Sequence, residues 1–93
     1  MSDEINELFQ TLQDRKIFPQ PGSYTNELLE MGEDEIVKKI GEEAIEMILA
    51  AKGQGDQRLV EETADLIYHV LVLLVSRDLT WDDILSELVA RRR

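Results

Sequence analysis

The chain has no cysteine, which removes a disulfide framework, a thiolate metal site and a thiol nucleophile together. Basic residues are also scarce. Ten Lys and Arg face twenty Asp and Glu, and the formal net charge of -10 repels the phosphates of nucleic acid and the anionic face of a membrane. No apolar run approaches the ~20 residues of a membrane span; the richest, Leu66 to Val75, is interrupted by His69. The start, Met1 to Asn6, is acidic and lacks the basic region of a secretory signal. No GxxxxGK[ST] or GxGxxG loop occurs, so phosphate would have to be held by metal, lysines and loop hydroxyls. These absences leave a cytoplasmic enzyme or binding module.

What is present is 93 residues, 43% apolar and 32% charged, which reads as one domain over residues 1–93. A chain of this size hides only about 65% of its extended surface on folding, so its stability must come from packing or oligomerisation. Ile5, Leu8, Phe9 and Leu12 fall at helical spacing behind a possible Ser2 cap, and Pro19 and Pro21 stop that helix. The stretch from Phe18 to Thr25 has turn chemistry, and its Ser23, Tyr24 and Thr25 hydroxyls either serve a substrate or cap a short helix from Asn26 to Met31.

Gly32 and the acids Glu33, Asp34 and Glu35 mark the start of a third helix running to about Lys52, since acids complement the positive end of the helix dipole. Gly53-Gln-Gly-Asp56 breaks it and offers Asp56 as the cap of a fourth helix, which reaches about Arg77. Thr80-Trp-Asp-Asp83 has the form of a capping box and opens a last helix through Ile84, Leu85, Leu88 and Val89 to Arg91-Arg92-Arg93. No alternating strand pattern, internal repeat or low-complexity tract occurs. The expectation is an all-α bundle built on one long antiparallel hairpin of helices three and four. Met31, Met47 and Trp81 are expected as core fillers, and three terminal arginines are too few for a nucleic-acid footprint.

On a helical wheel Ile36, Ile40, Ala44, Met47, Ile48 and Ala51 make one apolar face of helix three, with Glu43 at its edge and Glu46 about 60° further round. Helix four is apolar around nearly its whole circumference except for a narrow sector holding Glu62, Asp65, His69 and Ser76. A desolvated acid needs a proton, a basic partner or a cation, and Lys39 alone does not neutralise four acids. Glu43-x-x-Glu46 and Glu62-x-x-Asp65 lie on the two arms of the hairpin, and residues three apart share a face, so four carboxylates converge. Hard oxygen ligands of this kind suit Mg²⁺ or Mn²⁺, which typically bridge carboxylates to polyphosphate. An internal salt-bridge network, or a solvated face with pairs such as Lys39 to Glu43, is the structural alternative. His69, one turn beyond Asp65, either orients water or contacts phosphate or, as is commoner for a lone helical histidine, is a satisfied packing residue.

The run from Gly22 to Leu88 resembles the phosphoribosyl-ATP pyrophosphohydrolase family. The resemblance is carried by Gly22-Ser-Tyr-Thr25, Lys38-Lys-Ile-Gly-Glu-Glu-Ala44, Glu46, Leu49-Ala-Ala-Lys52, Glu61-Glu62 and Ala64-Asp-Leu-Ile-Tyr-His69. That family looks like a branch of the all-α nucleoside triphosphate pyrophosphohydrolases, whose ExxE and ExxD pattern falls on Glu43, Glu46, Glu62 and Asp65. The resemblance implies Mg²⁺-dependent cleavage of phosphoribosyl-ATP between its α and β phosphates, the second step of histidine biosynthesis. A fused zinc cyclohydrolase is not expected, because a chain with no cysteine and one histidine lacks the ligands.

Within that reading Glu42 or Glu46 is the candidate base. Lys38, Lys39 and Lys52 meet phosphate oxygens, and Ser23, Tyr24 and Thr25 bond the ribosyl phosphate or the base. A housecleaning pyrophosphohydrolase for nucleoside triphosphates and a silent helical dimerisation module are the competing readings. The apolar excess of helix four calls for a homo-oligomer, at least a dimer. Crowded acids also imply strain without metal, so Glu62→Gln or Asp65→Asn is expected to melt above wild type in EDTA.

Overall fold

Apolar spacings of three and four residues become five helices and no strand in the computed structural model, which describes residues 3–92. They are α1 (Asp3–Ile17), α2 (Tyr24–Met31), α3 (Glu33–Gly53), α4 (Asp56–Ser76) and α5 (Trp81–Ala90). The expected Ser2 cap and the last residue of the arginine tail lie outside the described residues. α1 ends just before the Pro19-Gln-Pro21 turn, as the proline chemistry requires. α2 begins two residues earlier than its spacing suggested, because the Ser23 hydroxyl caps it by accepting from the Asn26 N–H at 3.2 Å. Tyr24 and Thr25 are therefore helical residues, not loop residues.

Glycine makes both tight joints. Gly32, between α2 and α3, has φ 99°, and Gly55, between α3 and α4, has φ 90°, a region that residues with a Cβ avoid. Gly55 itself is the N-cap of α4. Asp56 is thus not a cap but the first helical residue, where its charge still meets the helix dipole. At α5 the capping box forms as read: Asp83 N–H donates to the Thr80 hydroxyl at 3.1 Å and Thr80 N–H to the Asp83 carboxylate at 2.8 Å.

α3 and α4, joined by Gln54 and Gly55, pack along each other more extensively than any other pair. The core gathers at one end of that pair, where Phe9 and Leu12 of α1 and Leu28 of α2 close over Ile36 of α3 and Leu71, Val72, Leu74 and Val75 of α4. Towards the α3–α4 turn only Ala50 is buried among the apolar residues. The phase of α3 consequently differs from the wheel reading. Ala50, not Ala51, faces inward, and Ile48 is 55% exposed. The cause is that α3 carries two apolar stripes of similar strength, and α4 covers the one containing Ile36, Ile40 and Met47, which brings Glu43 in with it. Ile45, Ile48 and Leu49 are left uncovered.

Two further expectations change. Met31, the last residue of α2, is 61% exposed and not a core filler, whereas Trp81 does pack on the core together with Ile84. Leu85, Leu88 and Val89 of α5 face outward, and α5 has no buried residue. The radius of gyration is 14.3 Å, against about 12.3 Å for a self-contained globule of this length. No helix among the described residues is long and apolar enough to cross a membrane.

Candidate active site

Where the covered end of the α3–α4 pair meets its open end, three acids come together. Glu43 on α3 and Glu62 and Asp65 on α4 each place a carboxylate oxygen within 4.8 Å of the others. The spacing of three between Glu62 and Asp65 puts both on one face of α4. The roll of α3 that buries Ala50 turns Glu43 towards them. Glu46, the fourth acid of the sequence pattern, lies one turn further along α3, is exposed, and is outside this cluster. Glu42 is also exposed, with Lys39 Nζ at 3.6 Å.

The electrostatics of the three acids are unequal. Glu43 is held above the ordinary glutamate pKa of 4.5 by its burial first, then by the Asp65 charge and by a hydrogen bond to Glu62 and its charge, with His69 pulling weakly the other way. Among the described residues no lysine or arginine pairs with Glu43. Glu62 is buried at 6% exposure but has one: Arg58 Nη2 donates to it at 2.6 Å, while Nη1 of the same guanidinium donates to Glu61 at 2.7 Å. Sequence reasoning missed Arg58 and counted Lys39 as the only nearby base. The signal was available, since Arg58 stands three and four residues before Glu61 and Glu62.

His69 and the α2 hydroxyls form the wall beside Asp65. The His69 ring is buried, with Nδ1 donating to the Asp65 carbonyl at 2.7 Å and Nε2 meeting the Tyr24 hydroxyl at 3.2 Å. Tyr24 stacks on Tyr68 with ring centroids 6.1 Å apart, and the Thr25 and Tyr68 hydroxyls bond each other. His69 is therefore satisfied on both nitrogens, as expected of a packing residue. Ser23 is engaged as a cap, Thr25 is buried, and Tyr24 remains 44% exposed. Lys39 sits close enough to Tyr24 and Glu42 for both to push its pKa above the usual lysine value. Lys38 and Lys52 are exposed and make no ion pair among the described residues.

A surface hollow of about 350 Å³ lies elsewhere, lined by Lys16, Pro19, Asn26, Leu29, Glu30 and Ser76. Several of its polar groups are committed to the fold: the Asn26 amide donates to the Arg15 carbonyl and accepts from Gln20 N–H, and Lys16 donates to the Val75 carbonyl.

Three hard oxygen donors from two helices, two of them without an arginine or lysine partner among the described residues, match the donor set of Mg²⁺ or Mn²⁺, so the residues fit such an ion. A stability test follows. Because the folded protein raises the Glu43 pKa, the contribution of this group is fully present below the unfolded value near 4.5 and is lost as pH rises through the folded value. In EDTA at pH 7 Glu43→Gln should therefore melt above wild type, by about 4–8 °C for each kcal/mol of relief, and the gap should vanish on acidification to pH 4. Glu62→Gln should melt lower, not higher as charge crowding alone suggested, because it abandons Arg58. Calorimetric melts of both variants in EDTA across pH 4–8 decide the order.

Fold and site together define an all-α protein with a carboxylate cluster suited to a divalent cation, and the comparisons narrow that class. The family model for phosphoribosyl-ATP pyrophosphohydrolase matches residues 5–92. The phosphoribosyl-ATP pyrophosphatase of Lactiplantibacillus plantarum is 52% identical over 87 residues, covering 94% of this chain and 82% of the relative. That of Pelotomaculum thermopropionicum is 52% identical over 91 residues, covering 98% and 93%. A histidine biosynthesis bifunctional protein of Caldanaerobacter subterraneus is 48% identical over 87 residues, but this chain spans only 42% of it. The chain belongs to the phosphoribosyl-ATP pyrophosphohydrolase family.

Proposed function

We propose that this chain hydrolyses phosphoribosyl-ATP to phosphoribosyl-AMP and pyrophosphate in the cytoplasm, as a divalent-cation-dependent step of histidine biosynthesis. The observation that carries this reading is the meeting of Glu43 with Glu62 and Asp65, in a chain whose relatives bear that activity in their names. Glu43, Glu62 and Asp65 would hold Mg²⁺ or Mn²⁺, which when bound offsets the charge of the triphosphate and polarises the phosphorus under attack.

The remaining work falls to this chain's own groups. A water oxygen attacks the α phosphorus, the bond to the bridging oxygen of the β phosphate breaks, and pyrophosphate leaves with that electron pair. The proton of the water goes to a carboxylate one turn from the cluster. Glu42 shares its charge with Lys39, whereas Glu46 has no ion-pair partner among the described residues, so Glu46 is the base we assign. Lys39 beside the exposed Tyr24 hydroxyl, with Lys38 and Lys52 on the same helix, supplies cations for phosphate oxygens. Ser23 and Thr25 hold α2 and thereby Tyr24 in place for the ribosyl phosphate or base.

The working unit in this reading is one domain whose antiparallel hairpin is completed by a second copy. Ile45, Ile48 and Leu49 on α3 and Val60 on α4 are all exposed, and a loosely gathered single chain has nothing to cover them. The activity is tested by supplying phosphoribosyl-ATP, ATP and dATP separately with Mg²⁺ and following pyrophosphate. We expect kcat/KM for phosphoribosyl-ATP to exceed the others by about 100-fold or more, because a site with polar groups for the extra ribosyl phosphate penalises substrates that lack it. Equal turnover of dATP would instead favour the housecleaning reading.

A further inference from the structure

Glu62 is buried among other acids, so it needs a positive partner whenever no metal ion is bound. The chain supplies one from the preceding turn of the same helix. Arg58 spans two acids, its Nη2 on Glu62 Oε1 at 2.6 Å and its Nη1 on Glu61 Oε1 at 2.7 Å, while its own side chain stays 46% exposed. Glu61 is steadied in turn by Gln57 Nε2 at 3.1 Å. Among the described residues neither Glu43 nor Asp65 has an arginine or lysine partner, so this cationic hold acts on one acid of the three.

We propose that Arg58 is a tethered counter-cation: it occupies Glu62 while the site lacks a metal ion and releases that carboxylate to Mg²⁺ or Mn²⁺, keeping Glu61 as its resting partner. This rests on the reading of Glu43, Glu62 and Asp65 as the cation site. A guanidinium is a permanent charge and donates only, so it competes with a divalent ion for the lone pairs of Glu62 and repels that ion electrostatically. Its half-exposed position and its second bond to an exposed acid make release inexpensive, because the arginine returns to water still paired. The arrangement guards the buried acid in the empty protein at the expense of cation affinity.

The test measures Mn²⁺ binding by electron paramagnetic resonance, without nucleotide, on wild type, Arg58→Gln and Arg58→Lys, together with melting in EDTA and in excess Mg²⁺. Arg58→Gln should bind Mn²⁺ about tenfold more tightly, the scale of one charge-assisted hydrogen bond no longer in competition. It should melt below wild type in EDTA, with Mg²⁺ closing the gap. Arg58→Lys, which keeps the charge but loses the fork, should fall between them and carries the test if the glutamine variant fails to fold. Weaker binding in these variants would overturn the proposal by making Arg58 a residue that positions Glu62 for the ion. Unchanged binding would overturn it by making the pair a surface contact. If wild type binds no Mn²⁺ at millimolar concentration, the cation reading of the site fails first and this inference falls with it.

Discussion

Glu43→Gln, Glu62→Gln and Asp65→Asn should each lower turnover of phosphoribosyl-ATP by about 10³-fold, equivalent to roughly 4 kcal/mol of transition-state stabilisation. Each amide preserves shape and helix while removing one charge from a cluster whose three oxygens lie within 4.8 Å of one another. The size follows from what such a site supplies: fixed electrostatic stabilisers removed singly cost about 10² to 10³ in rate, and a lost ligand also weakens the ion that the others hold. Glu43→Gln gives the cleanest evidence, because the same change should raise the melting temperature in EDTA and so separates lost activity from lost structure. Steady-state kinetics at several Mg²⁺ concentrations, with circular dichroism on the same samples, make the measurement. A variant with near-normal rate at low Mg²⁺ would remove its residue from the ligand set. His69→Gln should cost far less, since both of its ring nitrogens are engaged within the fold.

The second large effect concerns the uncovered stripe. Ile48→Asp should raise the dissociation constant of the proposed homodimer by about 100-fold or more, some 2.7 kcal/mol, and leave mostly monomer at micromolar concentration. Ile48 is 55% exposed in the single chain and lies on α3 between Ile45 and Leu49, which are exposed as well. A charge placed in an apolar contact must be desolvated without a partner, which exceeds the cost of losing the isoleucine alone. Sedimentation velocity on wild type and variant reads the result directly. A wild-type chain that sediments as a stable monomer would remove the argument for a second copy.

Helix number and most helix ends were legible because they depend on local chemistry. Pro19 and Pro21, the glycines at 32 and 55, and the Thr80 to Asp83 box act within a few residues of themselves. The acid cluster was legible in type, since spacing places Glu62 and Asp65 together on α4. Membership was not. Which of Glu43 and Glu46 turns inward depends on the roll of α3, and that roll is chosen by packing between two apolar stripes that a wheel weighs almost equally. Ala50 inside and Ile48 outside are the same effect. Met31 was misread because residues at a helix end need not lie over the core that their spacing implies. The Ser23 cap is one of two readings that the sequence leaves open, and the Asn26 N–H donating to the Ser23 hydroxyl makes that cap. The Arg58 pairs are local and legible in principle, because the base stands three and four residues before its acids on α4, whereas Lys39 is on α3.

In the proposed reaction these carboxylates direct water to the α phosphorus with a divalent cation bound. The most direct measurement is a single turnover of phosphoribosyl-ATP in ¹⁸O-labelled water, with mass spectrometry of both products in Mg²⁺ and in EDTA. One labelled oxygen in phosphoribosyl-AMP, none in pyrophosphate, and no turnover in EDTA are expected. Label in pyrophosphate, release of orthophosphate, or an undiminished rate in EDTA would contradict that reaction.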